Sequence, residues 1–76
     1  MPITVSMGRM GQLALNGEHI ELKQLRMALE PLLKHNLDSA ITLKSDAQTE
    51  VQQLLKVMDE IRTAGGSNIA LATLQK

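Results

Sequence analysis

The chain has no cysteine and no phenylalanine, tyrosine or tryptophan. Without cysteine there is no disulfide framework and no thiolate metal site, and the redox compartment stays open on that ground. Without aromatic rings the chain lacks the base-stacking platforms on which single-strand nucleic-acid binders depend. An excess of charge of one sign is missing too: eight basic and eight acidic side chains give a formal net charge of zero. Duplex binding leans on several Lys or Arg contacts to phosphate, so the balance argues against nucleic acid as a partner. No run approaches the roughly 20 consecutive apolar residues of a membrane span, and the opening MPITVSMGRM lacks the charged and then apolar regions of a signal peptide.

What is present is a balanced globular composition, 43% hydrophobic and 21% charged over 76 residues. That length is expected to form a single domain, residues 1–76, with a thin core, because a chain this small buries only somewhat over ~60% of its unfolded surface.

Short alternating segments dominate the first third. Ile3 to Ser6, ITVS, is rich in β-branched residues and reads as a strand. The glycine-bearing MGRMG that follows reads as a loop. Asn16-Gly17 then stands between two short alternating segments, Gln12 to Leu15 and Glu18 to Ile20. A type I′ hairpin turn is expected there, since it needs positive φ at both central residues.

From Leu22 the period changes to that of a helix. Leu22, Leu25, Leu29, Leu32 and Leu33 share one side, opposite Lys23, Gln24, Arg26, Glu30 and Lys34. Pro31 removes a backbone hydrogen bond, which predicts a kink or an early end near Glu30. Alternation returns in Ser39 to Ser45 with Ile41 and Leu43 on one face. A second helix is expected next, opened by Thr49 and Gln52 as a capping box and carrying Val51, Leu54, Leu55, Met58 and Ile61 as its apolar stripe. Arg62 suits its last turn and Gly65 its left-handed end. Asn68 to Thr73 reads as the final strand.

The fold class expected is therefore α+β, a two-layer sandwich of a mixed sheet of about five short strands with two helices on one face, in the order β-β-β-α-β-α-β. Strand, helix and strand across Ala40 to Thr73 form a βαβ unit with parallel strands. Because Ile3/Val5, Leu13/Leu15 and Ile41/Leu43 alternate with Thr4, Ala14 and Thr42, only one sheet face is covered. The other face and any edge strand are left for solvent or a partner.

Chemistry is hard to find. His19 and His35 sit on different elements without HxH or HxxxH spacing, so surface roles outweigh metal or catalytic ones. Asp46 with Glu50 opens a helix, and Asp59 with Glu60 lies on its solvated face; neither pair has the cleft that acid–base work requires. No GxSxG, P-loop or GxGxxG occurs, and Gly8 and Gly11 lack the strand-to-helix setting for phosphate. Met7 and Met10 suit loop packing better than a partner patch. No catalytic, cofactor-binding or metal residue is assigned, and the chain is not read as an enzyme.

The order of elements, together with SDAQTEVQQLLKVMDEIRTAGGSNIALAT and LALNGEHIELKQL, resembles the soluble C-terminal domain of the ExbD/TolR family of biopolymer transport proteins. The matching positions are Asp46, Val57-Met58-Asp59, Ala64-Gly65 and Ile69 to Thr73. Three positions depart from the family pattern. Glu21 stands where Thr often opens the first helix, Val51 replaces an aromatic, and Gly66 replaces an apolar residue after the helix-ending glycine.

The resemblance implies a periplasmic domain of a single-pass inner-membrane protein, anchored by a helix before Met1 and working with an ExbB/TolQ-like channel subunit. It also implies a homodimer that passes the effect of proton flow to a TonB- or TolA-like transducer, with peptidoglycan contact in some members. The segment Ile69, Ala70, Leu71, Ala72 and Thr73 is the expected association surface, with Gly65 and Gly66 as a hinge before it. The alternative expectation is a peptidoglycan- or small-ligand-binding module on the same fold.

Overall fold

The computed structural model describes residues 2–35 and 40–74. Seven elements follow in the expected order: β1 (Ile3–Met7), β2 (Leu13–Leu15), β3 (Glu18–Ile20), α1 (Leu22–Lys34), β4 (Ile41–Asp46), α2 (Val51–Thr63) and β5 (Ile69–Leu74). They build one five-stranded mixed sheet ordered β3-β2-β1-β4-β5. The hairpin strands β2 and β3 run antiparallel, β2 is antiparallel to β1, and β1, β4 and β5 are mutually parallel neighbours. Ser39, the expected first residue of β4, lies outside the described residues.

Alternation decides the layers. Ile3, Val5, Met7, Ile41 and Leu43 are all buried and share one side of the pleat, where they meet Leu25, Leu29 and Leu33 of α1 and Val57 and Ile61 of α2. Both helices therefore cover the same face. Thr4, Ser6, Thr42 and Lys44 point the other way and are half-buried or exposed. The Asn16-Gly17 turn has positive φ at both residues, +50° and +88°, as a type I′ hairpin demands. Asn16 also ties the hairpin to β1: its N–H donates to the Thr4 carbonyl at 2.8 Å, and its Oδ1 accepts the Thr4 N–H at 2.8 Å.

Three local expectations need correction. Helix α1 does not stop near Glu30 but runs through Pro31 to Lys34, because Leu29 and Leu33, both buried, pin it to the sheet on either side of the proline. The capping box forms on the other helix. Helix α2 begins a residue late, with Glu50 at its N-cap and no side-chain cap bond, so the Thr49 hydroxyl donates instead to the Gly8 carbonyl at 3.5 Å. On α1, Gln24 Oε1 accepts the Glu21 N–H at 3.1 Å, satisfying a free donor at a helix start that lacks Ser or Thr.

The third correction is the apolar stripe of α2. Val57 and Ile61 are the buried residues, 1% and 0% exposed, while Val51 and Leu55 are 67% and 57% exposed. Leu54 and Met58 lie half-buried between the two sets. The helix is rotated so that the sheet meets the 54/57/58/61 series, and Val51 and Leu55 are left on an uncovered flank.

Candidate interaction surface

The two edges of the sheet are unlike. The β3 edge is three residues long, and with its next residue it carries Glu18, His19 and Glu21; His19 Nε2 lies 3.3 Å from Glu21 Oε1. Short charged edges of this kind resist pairing with another strand. The β5 edge is twice as long, Ile69–Leu74, with the sequence IALATL and neither a charge nor a proline. Nothing on it discourages a further strand.

Its hydrogen-bonding phase follows from one bond. The Asn68 carbonyl accepts the Ile41 N–H at 2.8 Å. In a parallel ladder the N–H and C=O of a residue point to the same neighbour, and successive residues alternate. Asn68, Ala70 and Ala72 therefore bond inward to β4. Ile69, Leu71 and Thr73 turn their peptide groups outward, away from the sheet. Their side chains share the helix-facing side with Ile41, Leu43 and Ser45, across from which they pair. Leu71 is nonetheless 53% exposed, so the helical layer ends short of the β5 edge. Val51, Leu55 and Leu71 are the large apolar residues that α2 and β5 leave exposed.

The expected site residues accordingly fall into two sets. Ile69, Leu71 and Thr73 offer free peptide groups and helix-side side chains. Ala70 and Ala72 are held by β4 and show their methyl groups on the bare face. Sequence reading missed Val51 and Leu55 as surface residues; the signal was present in the surplus of apolar residues on α2, more than one stripe can use.

Gly65 and Gly66 lie where α2 hands over to β5. Gly65 has φ +112°, and its N–H donates to the Arg62 carbonyl at 3.0 Å; the Gly66 N–H donates to the Ile61 carbonyl at 2.9 Å. The two bonds form a Schellman end. Gly66 is buried, and a Cβ there would lie 2.7 Å from both Ile41 Cδ1 and Ile61 Cγ2. The apolar contact that usually accompanies such an end is supplied here by two core isoleucines pressing on a bare backbone.

At the far end of the bare face a shallow groove of about 360 Å³ is lined by Ser6, Gly8, Gln12, Ala14, Gly17 and His19. The loop above it is held by bonds from Met10 N–H to Gln12 Oε1 (2.9 Å) and from Arg9 to Gln48 Oε1 (3.1 Å). Among the described residues no group of three or more His, Asp or Glu gathers as a metal site. No helix among them is long and apolar enough to cross a membrane.

The family model for biopolymer transport protein ExbD/TolR matches residues 1–76. A curated relative, a putative biopolymer transport protein ExbD of Synechocystis sp., is 30% identical over 70 residues, which is 92% of this chain and 26% of that protein. The chain thus spans about a quarter of the length of the relative it matches. With the family model covering the chain from end to end, the protein belongs to the ExbD/TolR family of biopolymer transport proteins.

Proposed function

We propose that this chain is the periplasmic interaction domain of an energy-transduction component, and that it works as a homodimer joined along β5. The observation that carries the reading is the outward phase of Ile69, Leu71 and Thr73 on an uncharged edge. Two copies related by a two-fold axis would place Leu71 opposite its twin and Ile69 opposite Thr73, so that each of these residues gives and takes main-chain bonds across the seam. A right-handed crossover from β4 to β5 turns the flank of α2 that holds Met58, Val51 and Leu55 toward that same edge. Those apolar side chains would then be buried beside the new strand pair, and burial of apolar area supplies the driving force that main-chain bonds alone do not.

The family resemblance supplies the rest of the proposal. A transmembrane anchor before Met1 would carry the acidic residue of proton translocation beside an ExbB/TolQ-like channel subunit. The domain would pass the effect to a TonB- or TolA-like transducer, with Gly65 and Gly66 as the pivot from which β5 moves. Sedimentation of the purified domain tests the association surface. The wild type should sediment as a dimer and Leu71→Pro as a folded monomer; an unchanged profile for the folded variant overturns the surface.

A second reading, a module that binds peptidoglycan or a small ligand, finds its support in the groove beside His19. Co-sedimentation with purified cell wall, abolished by His19→Ala and untouched by Leu71→Pro, would favour it over the edge.

A further inference from the structure

The hairpin that ties β2 and β3 to β1 carries chemistry of its own. The chain has three asparagines, Asn16, Asn36 and Asn68, and only Asn16 is followed by glycine, the others by Leu37 and Ile69. A residue without Cβ leaves its peptide nitrogen open to approach, whereas a branched side chain shields it. Both turn residues are exposed to water.

We propose that Asn16 is the site of spontaneous side-chain hydrolysis in this protein, and that its bond to Thr4 governs the rate. In the reaction the Gly17 peptide nitrogen gives up its proton and attacks Asn16 Cγ. The new N–C bond closes a five-membered imide, and the amide nitrogen of the side chain leaves as ammonia. Water then opens the imide at either carbonyl, giving aspartate or its isomer with the main chain routed through the former side chain. Water is the sole co-reactant.

The fold sets the pace because Asn16 is held at two points. Its Oδ1 accepts the Thr4 N–H at 2.8 Å and its N–H donates to the Thr4 carbonyl at 2.8 Å. Swinging Cγ onto the Gly17 nitrogen pulls Oδ1 off Thr4 and leaves an edge-on donor of β1 without its partner. It also asks the turn to leave the conformation that φ values of +50° and +88° define.

The two products differ in consequence. Aspartate keeps an oxygen where Oδ1 was, so the tie to Thr4 survives with an added negative charge. The isomer adds a methylene to the main chain inside a two-residue turn, which breaks the pairing of Leu15 with Glu18 and the tie to β1.

The test compares folded protein with the same protein in denaturant, both at mildly alkaline pH, by peptide mapping and isoaspartate methyltransferase labelling. Conversion should begin at Asn16, and it should run roughly five- to thirty-fold slower in the folded chain, the factor that one or two kcal/mol of lost bonding implies. Equal rates in the two states overturn the governing role of Thr4, and earlier conversion at Asn36 or Asn68 overturns the site. Asn16→Asp supplies a second reading: it should unfold within a few degrees of the wild type, and a collapse of its stability would show that the carboxamide, not its oxygen, makes the tie.

Discussion

The Asn68 carbonyl and the Ile41 N–H meet at 2.8 Å, at the point where the chain leaves the Schellman end of α2 and enters β5. That bond sets the phase of the whole edge, and its consequence is a sharp difference between adjacent residues. Leu71 has its N–H directed away from β4, whereas the N–H of Ala72 is directed into it. Proline removes the N–H at whichever position it occupies, and strands tolerate it only where that N–H faces outward.

Leu71→Pro should therefore leave the domain folded, remove a donor from the open edge, and lose only the stabilisation that association adds. Ala72→Pro should lose a ladder bond to β4 and cost about 1–3 kcal/mol in denaturant unfolding. If the two variants unfold alike, the phase deduced for β5 is wrong.

The uncovered flank of α2 gives a second contrast. Leu55→Ala should change the unfolding free energy of the monomer by less than about 0.5 kcal/mol, since the side chain is 57% exposed. Ile61→Ala, at 0% exposed, should cost about 2–5 kcal/mol through lost burial and a cavity. Urea titration of both variants on the Leu71→Pro background keeps association out of the comparison.

Those two residues also mark where sequence reading stops. The hairpin is legible because Asn-Gly states its own backbone geometry, and the one-sided sheet is legible because Ile3/Val5 and Ile41/Leu43 alternate with polar partners. The rotation of α2 is not. The expected stripe, Val51, Leu54, Leu55, Met58 and Ile61, and the observed series, Leu54, Val57, Met58 and Ile61, share three residues and differ in whether Val51 and Leu55 or Val57 face the sheet. Both fit an amphipathic helix, and only the position of the sheet beneath selects the second. For the candidate site the limit is similar. An uncharged final strand can be recognised in IALATL, but which of its peptide groups stay free depends on pairing with β4, which no local pattern encodes.

Helix α1 offers a prediction about capping. Its first turn has no acidic residue and no hydroxyl, and Gln24 Oε1 takes the Glu21 N–H at 3.1 Å. Gln24→Ala should cost about 0.5–1 kcal/mol in thermal or urea unfolding, within the usual range for a lost N-terminal cap interaction. Gln24→Glu should recover the bond and add charge favourable to the helix start, giving stability at or above the wild type. A neutral Gln24→Ala would show that water replaces the side chain without loss.

The double glycine separates into two different requirements, and paired variants expose them. Gly65 has open space around it, so Gly65→Ala meets no neighbour and is opposed by its φ of +112° alone, which costs an L-residue about 1–2 kcal/mol. Gly66 has no such φ but no room: a Cβ would crowd Ile41 Cδ1 and Ile61 Cγ2 at 2.7 Å and the Ile61 carbonyl oxygen at 3.1 Å. Gly66→Ala should cost about 1–3 kcal/mol by overpacking. Ile41→Val deletes the crowded Cδ1, so the double variant Gly66→Ala/Ile41→Val should be more stable than the sum of its parts by about 0.5 kcal/mol or more. Ile41→Val combined with Gly65→Ala should be additive. The contrast bears on function because β5 starts three residues beyond Gly66, at Ile69. A pivot there has to lift a buried backbone away from two isoleucines and break its bond to the Ile61 carbonyl. Hydrogen exchange at the Gly66 amide, compared with that at Leu71, reads whether β5 moves as a unit from that point. Exchange at Gly66 as slow as in β4 would place the moving segment beyond it and remove Gly66 from the pivot.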